Sequence, residues 1–415
     1  MHFRRGRSRA LPGAVVGAVA LAVAGLPTLA SAASLPPASG VTLPALAATT
    51  TLYVATNGND TNPGTLAAPF ATVQKAVGLV KAGGTVAVRG GTYQLAGNIQ
   101  ITKSGTAAAP ITLTNYGTEK VVLDGEALAY TPGAVGSTIP SAQRGVIHME
   151  ASRWKLVGLE IAHGPYGVYC NACTDNTFER LVTRDNYETG FQLQGASSNN
   201  LILNLDSYGN HDPRKNGESA DGLGIKEGSG TGNVVRGARL WNNVDDGFDA
   251  WTFSSPITIQ DTLAYGNGYN RWNIPNFSGD GNGFKLGGSS GTGPAAGHTV
   301  TNAMAFGNAA SGFTDNGNTG AITIDHSTAY QNARTGFDVD GGSKSRLTAD
   351  LAIGNKTAVT LGSSTASGNS WNLGGTWTLR STDPSTATGP RNSDGSIRSS
   401  TFLVPANGSS VGART

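Results

Sequence analysis

Glycine followed by an apolar residue recurs along the middle of the chain, and this recurrence restricts the fold more than any other feature. The pairs are Gly167-Val168, Gly190-Phe191, Gly222-Leu223, Gly247-Phe248, Gly283-Phe284, Gly312-Phe313 and Gly336-Phe337. A second series, Asn186, Asn210, Asn243, Asn267, Asn308, Asn332 and Asn355, is spaced by 24, 33, 24, 41, 24 and 23 residues. The unit is therefore about 24 residues, with two insertions. A repeat of that length holds several short strands and turns but no regular helix, which predicts an all-β, parallel β-helix. A leucine-rich repeat has a similar period, but its leucine framework is absent. The Asn series predicts an amide ladder, each side chain bonded to its equivalent one turn away.

Alternation within each repeat assigns the faces. One residue past each Gly stand Val168, Phe191, Leu223, Phe248, Phe284, Phe313 and Phe337; three past stand Cys170, Leu193, Ile225, Ala250, Leu286, Asp315 and Val339. These positions face the core, and position +2 (Tyr169, Gln192, Gly224, Asp249, Lys285, Thr314, Asp338) faces out. Asp315 breaks the pattern, which suggests a bulge or altered register in that turn.

The N-terminus reads as a signal peptide over residues 1–32. Arg4, Arg5, Arg7 and Arg9 precede an apolar stretch from Ala14 to Leu29 and a small-x-small site at Ala30-Ser31-Ala32. The chain is thus expected to be secreted and extracellular. Residues 33–50 read as a linker, and Ala71–Ala82 as a short amphipathic helix capping the first turn of a solenoid over 51–364. Residues 365–415, rich in Ser, Thr and Gly, are expected to pack loosely along the solenoid and end in a frayed tail. With 59 Gly, 13 % charged residues and a formal charge of +2, neither nucleic acid nor a membrane surface is expected as a partner, and a monomer is expected. Cys170 and Cys173 suit a structural role in an exported protein, bonded or not.

The chain has 27 acidic residues, and Asp221, Asp245, Asp246 and Asp249 fall within 29 positions. Any one Asp-Gly pair is an ordinary turn. In register, however, Asp221 and Asp246 occupy one place in consecutive turns, and Asp249 lies beside Lys285, about 4.8 Å away. Like charges opposed across a ladder repel and raise one another's pKa, so a bound hard cation is expected. An all-oxygen donor set suits calcium better than zinc, or than magnesium with its stricter octahedron. A dication would lower the pKa of Lys285 from about 10.4, against the pull of Asp249, and make it a candidate general base. The insertions at His211–Ser219 and Gly268–Asp280 flank these turns and read as cleft walls. Their Arg214, Arg271 and Trp272, with Lys226 and Trp251 outward on the strands, would suit a negatively charged polymer of sugars.

These residues resemble polysaccharide lyase family nine, the calcium-dependent pectate lyases, which have a right-handed parallel β-helix. The likeness lies in Asp221, Asp245-Asp246-Gly-Phe-Asp249 and Gly-Phe-Lys285, and more loosely in the chain from Thr51 to Val404. It implies that Asp221, Asp245, Asp246 and Asp249 hold calcium and that Lys285 takes the C5 proton of polygalacturonate, whose C4–O bond then breaks by β-elimination. Three rivals share parts of this pattern: a lyase or C5-epimerase for another uronate polymer such as alginate, a glycoside hydrolase, and a non-catalytic carbohydrate-binding solenoid.

Overall fold

The computed structural model describes residues 50–289 and 293–415. The expected signal peptide, and all but the last residue of the expected linker, lie outside the described residues. From Thr51 onward the chain winds through three parallel sheets of 12, 10 and 10 strands. Each coil visits the first sheet (as at Asn233–Arg236), the second (Arg239–Trp241) and the third (Phe248–Asp249), then returns to the first at Ile257–Gln260. Among the described residues no helix is long and apolar enough to cross a membrane.

The Gly-apolar pairs set the register of the third sheet. Val168, Phe191, Leu223, Phe248, Phe284, Phe313 and Phe337 are successive pairing partners, and all are fully buried. The rings of Phe284, Phe313 and Phe337 stack at 4.8 and 4.9 Å. Branched and aromatic side chains in this column suit a parallel strand buried on its inner face. The corner leading from the first sheet to the second bends at a residue with positive φ in successive coils, such as Asn204, Gly237 and Asp261. Gly, Asn and Asp tolerate that conformation best.

The Asn ladder lies inside the corner between the second and third sheets. The Nδ2 of Asn186 donates to Oδ1 of Asn210 at 2.9 Å, and the pattern continues through Asn243, Asn267, Asn308, Asn332 and Asn355. Each Oδ1 also accepts the backbone N–H of the preceding Asn, so the amides add to the backbone bonds that join successive coils at this corner, such as Val244 N–H to the Asn210 carbonyl and Gly268 N–H to the Asn243 carbonyl. A second ladder, Asn176–Asn200–Asn233, serves the corner between the third and first sheets; it is too short to stand out as a period.

Three expectations need correction. Asp315 sits in an unbroken register and is buried because its carboxylate accepts the N–H groups of Gly317, Gly341 and Ser343; it caps a turn rather than marking a bulge. The capping helix spans only Val73–Leu79, with Val73, Ala76 and Val77 buried. The C-terminal segment is neither loose nor frayed. Arg391 and Arg239 share Asp206, Phe402 packs edge-on against Phe306 at 5.0 Å, and Ala413 is fully buried with its N–H on Thr328. Ser- and Thr-rich composition concealed these anchors, which depend on single residues. Cys170 and Cys173 form a disulfide in the core.

Asn243→Ala would strip the bonds to Asn210 and Asn267 and leave the Asn210 N–H buried without an acceptor. The expected loss is about 1–3 kcal/mol in denaturant unfolding. Asn407→Ala, at an exposed site, should stay within about 0.5 kcal/mol of the parent.

Candidate active site

Three long loops beside the acidic residues leave the helix at the corner where the Asn ladder runs. Residues 209–222 and 266–283 are the two insertions seen in the repeat spacing. A third, residues 125–146, precedes the first clear repeat and so breaks no visible period. The loops support one another. Arg214 donates to the Ser137 carbonyl, its own carbonyl accepts from Gly136, and Ser278 donates to the Asn216 carbonyl. Beneath them Ala220, Val244 and Ile274 form a small core joined by Trp272 and Phe277.

The three stacked copies are consecutive coils. The N–H of Gly222 bonds to the Asp246 carbonyl, and that of Gly247 to the Asn282 carbonyl. Side chains repeat the pattern one coil out: Asp221 Oδ1 accepts the Asp246 N–H at 3.3 Å, and Asp246 Oδ1 accepts the Asn282 N–H at 2.6 Å. Asp249 pairs in register with Lys285. Asp221, Asp245, Asp246 and Asp249 are all buried, at 0 to 2 % exposure.

These carboxylates form two groups that share Asp246. Oxygens of Asp221, Asp246 and Asp249 lie within 4.8 Å of one another, as do those of Asp245, Asp246 and Asp280. Asp280 was not singled out from the sequence, where it is only the last residue of a polar loop. Its N–H donates to Asp245 at 2.6 Å, and its carboxylate receives Lys285 Nζ at 2.8 Å. Lys285 Nζ also lies 3.3 Å from Asp246 Oδ2, an oxygen that accepts no hydrogen bond.

Lys226 departs from expectation. It belongs to a bulge, Lys226-Glu227 opposite Gln194, where the pairing between the strands shifts, and it does not extend into solvent. Gly224 leaves room in the outward column, so the Lys226 chain folds back across it. Its Nζ reaches Asp221 at 2.6 Å and Asp249 at 3.1 Å. Alternation alone could not show this, because it gives the direction of a side chain and not its fold-back.

The charges do not balance. Five carboxylates face two ammonium groups. Burial, with Asp246 and Asp221 nearby, pushes the Asp245 carboxyl well above the usual range. Burial likewise pushes Asp246 up to about 7, against the pull of Lys285. Burial alone would lower the pKa of Lys285, but Asp249, Asp246, Asp245 and Asp280 outweigh it and raise the pKa above that of an ordinary lysine. The lowering expected from the sequence belongs to a site that holds a dication; here carboxylates are the immediate neighbours of the amine and set the direction. An all-oxygen set with surplus buried charge and an unbonded oxygen at Asp246 suits a hard divalent cation.

The remaining candidates divide. Arg214 is buried and ion-paired with the fully buried Glu188, so it holds a loop and presents no open cation. Trp272 stacks on His211 at 4.7 Å, which covers one ring face. Arg271 is exposed, its guanidinium over the Tyr269 ring. Trp251 is half-buried beside Gly288, and its backbone N–H donates to Asp249 Oδ1.

A three-sheet parallel β-helix with a buried carboxylate–lysine cluster on its outer face defines a class found among polysaccharide-degrading enzymes, and the comparisons specify which branch. Residues 52–347 match the family model described as the Pel9A-like, right handed beta helix region, and the chain belongs to that family. It is 49 % identical to Pectate lyase PEL9 of Emericella nidulans, across 88 % of this chain and 94 % of that protein. It is 32 % identical to Pectate lyase L of Dickeya dadantii, across 88 % and 85 %. The crystal structure of pectate lyase Pel9A superposes with a TM-score of 0.75 at 32 % identity, covering 88 % of this chain and 91 % of that one. A rhamnogalacturonan lyase superposes at 0.70 with 26 % identity, covering 86 % and 97 %.

If these carboxylates share a cation, calcium should raise the melting temperature by several degrees and a chelator should reverse the rise, by mass action on the folded state. Asp246→Asn, which keeps the shape and removes the charge, should abolish most of the calcium effect in differential scanning calorimetry.

Proposed function

We propose that this chain is a pectate lyase that cleaves polygalacturonate by β-elimination, with Lys285 as the base. The observation that carries the reading is Lys285 in register with Asp249, its amine held by Asp246 and Asp280. The 49 % identity to a pectate lyase supports the substrate class.

In a galacturonate unit the C5 hydrogen is α to the carboxylate, and the glycosidic oxygen on C4 is β to it. Lys285 Nζ takes the C5 proton; the C–H pair becomes the C4=C5 double bond, and the C4–O bond breaks, its pair leaving on the oxygen. That oxygen is protonated from solvent, so no water is added across the bond. Asp246 and Asp280 fix the amine's position, and Lys226 holds Asp221 and Asp249 together. Calcium, held by Asp221, Asp245, Asp246 and Asp249, would supply a positive charge against which the carboxylate's enolate is stabilised. Trp251 and Arg271 would offer a ring face and a cation to neighbouring sugars. The N-terminal 32 residues, with their basic start and small-x-small site, support secretion, which suits a polymer outside the cell.

Lys285→Ala should lower kcat by on the order of 10²–10⁴ with little loss of calcium-dependent stability. Turnover, followed by the ultraviolet absorbance of unsaturated uronate, should vanish on chelation. Because the base must be neutral while carboxylates hold its proton, activity should climb through the alkaline range. A peak near pH ~5 would contradict that role. Polygalacturonate should be preferred over rhamnogalacturonan and alginate in parallel assays, and preference for either of the others would reassign the substrate.

A further inference from the structure

The loop that gives no sequence signal, residues 125–146, creates a second feature at the same corner. With the 211–219 loop it encloses a cleft of about 340 Å³, lined by Ile139, Arg144, Tyr166, Arg214 and Lys215 among others. That volume suits a sugar unit or two more than a water pocket.

Three cations face this cleft, and only one is neutralised there. Arg214 is ion-paired with Glu188. Arg144 donates from Nε to the Ile139 carbonyl at 3.2 Å and from Nη1 to the Tyr169 hydroxyl at 3.1 Å. Its Nη2 donates to no group among the described residues, so one edge of a guanidinium remains for a planar oxyanion. Lys215 Nζ bonds only to the neutral Ser219 hydroxyl at 3.1 Å. Neither Arg144 nor Lys215 forms an ion pair among the described residues. The Tyr169 hydroxyl in turn donates to Gln194 at 2.7 Å, and Arg144 lies over the Tyr169 ring at 5.4 Å.

Register gives the distance to the reaction centre. Tyr169 pairs with Gln192, Gln192 with Gly224, and Gly224 with Asp249. Three steps of about 4.8 Å put Tyr169, whose ring and hydroxyl hold Arg144, about 14 Å from Asp249 along the outward column. A polymer lying along that column across Lys285 would bring a carboxylate of a later sugar to the cleft.

We propose that Arg144 and Lys215 form a remote subsite that grips the carboxylate of a uronate unit several sugars from the scissile bond, with Arg214 and Glu188 positioning the loop that carries Lys215. The subsite rests on the uronate-polymer reading above and extends it. It makes the enzyme's affinity depend on chain length and on free, unesterified carboxyl groups at that distance.

The test is calorimetric titration with calcium present, using the chain that carries Lys285→Ala so that binding is read without turnover. Galacturonate trimer and octamer are compared, and the octamer again as its methyl ester. The octamer should bind more tightly than the trimer, and Arg144→Gln or Lys215→Ala should each shrink that advantage by about tenfold, the value of one charge-assisted contact. Lys215 is exposed, so its variant should fold normally even if the Arg144 variant does not. An advantage of octamer over trimer that both variants retain in full, or that the methyl ester retains, would overturn the subsite. Failure of the lyase reading would show separately, as absence of unsaturated product from polygalacturonate with the unmodified chain.

Discussion

Parallel pairing at fixed register between successive coils is the constraint from which the rest follows. It places equivalent residues about 4.8 Å apart along columns, so a change in one repeat changes a column and not merely a position. The Asn ladder reinforces that register between the strands, at the corner between the second and third sheets, where each amide bonds to its equivalent beside a backbone bond between the same coils. The loops emerge from this corner, and the carboxylates line up along it. The most firmly tied part of the coil therefore carries the chemistry, as a site needing tight geometry requires.

Within the column the chain gathers charge at considerable cost. Five carboxylates and two lysines share a region where four of the carboxylates are nearly inaccessible. Buried charges are tolerated only with partners. Here the partners are Lys226 for Asp221 and Asp249, Lys285 for Asp246 and Asp280, and backbone N–H groups for Asp245 and Asp246. The negative charge still exceeds the positive. A cluster of this kind is hard to account for as scaffolding alone, because apolar residues of similar volume would stabilise the coil at least as well.

Much of the architecture was legible in the sequence because a solenoid writes its period into the chain. The Gly-apolar and Asn series carry the register, and the register alone joins Asp221 with Asp246 and Asp249 with Lys285. What escaped depends on interactions without period. The fold-back of Lys226 over Gly224 needs the shape of a gap. The burial of Arg214 needs Glu188, which lies 26 residues away in an earlier coil. Asp280 and the 125–146 loop belong to insertions, where repeat logic has nothing to compare. The tail, read as frayed from its composition, is held by Asp206, Asn302 and Thr328, partners more than 80 residues upstream.

The central claim is that the column of carboxylates and Lys285 breaks a glycosidic bond by elimination and not by adding water. The most direct measurement is mass spectrometry of the fragments released from polygalacturonate in heavy-oxygen water. The account predicts fragments whose new non-reducing end carries a C4=C5 double bond, with no heavy oxygen incorporated by the cleavage itself once exchange at the reducing end is corrected for. One heavy oxygen retained per bond broken, with saturated ends, would show hydrolysis and contradict it.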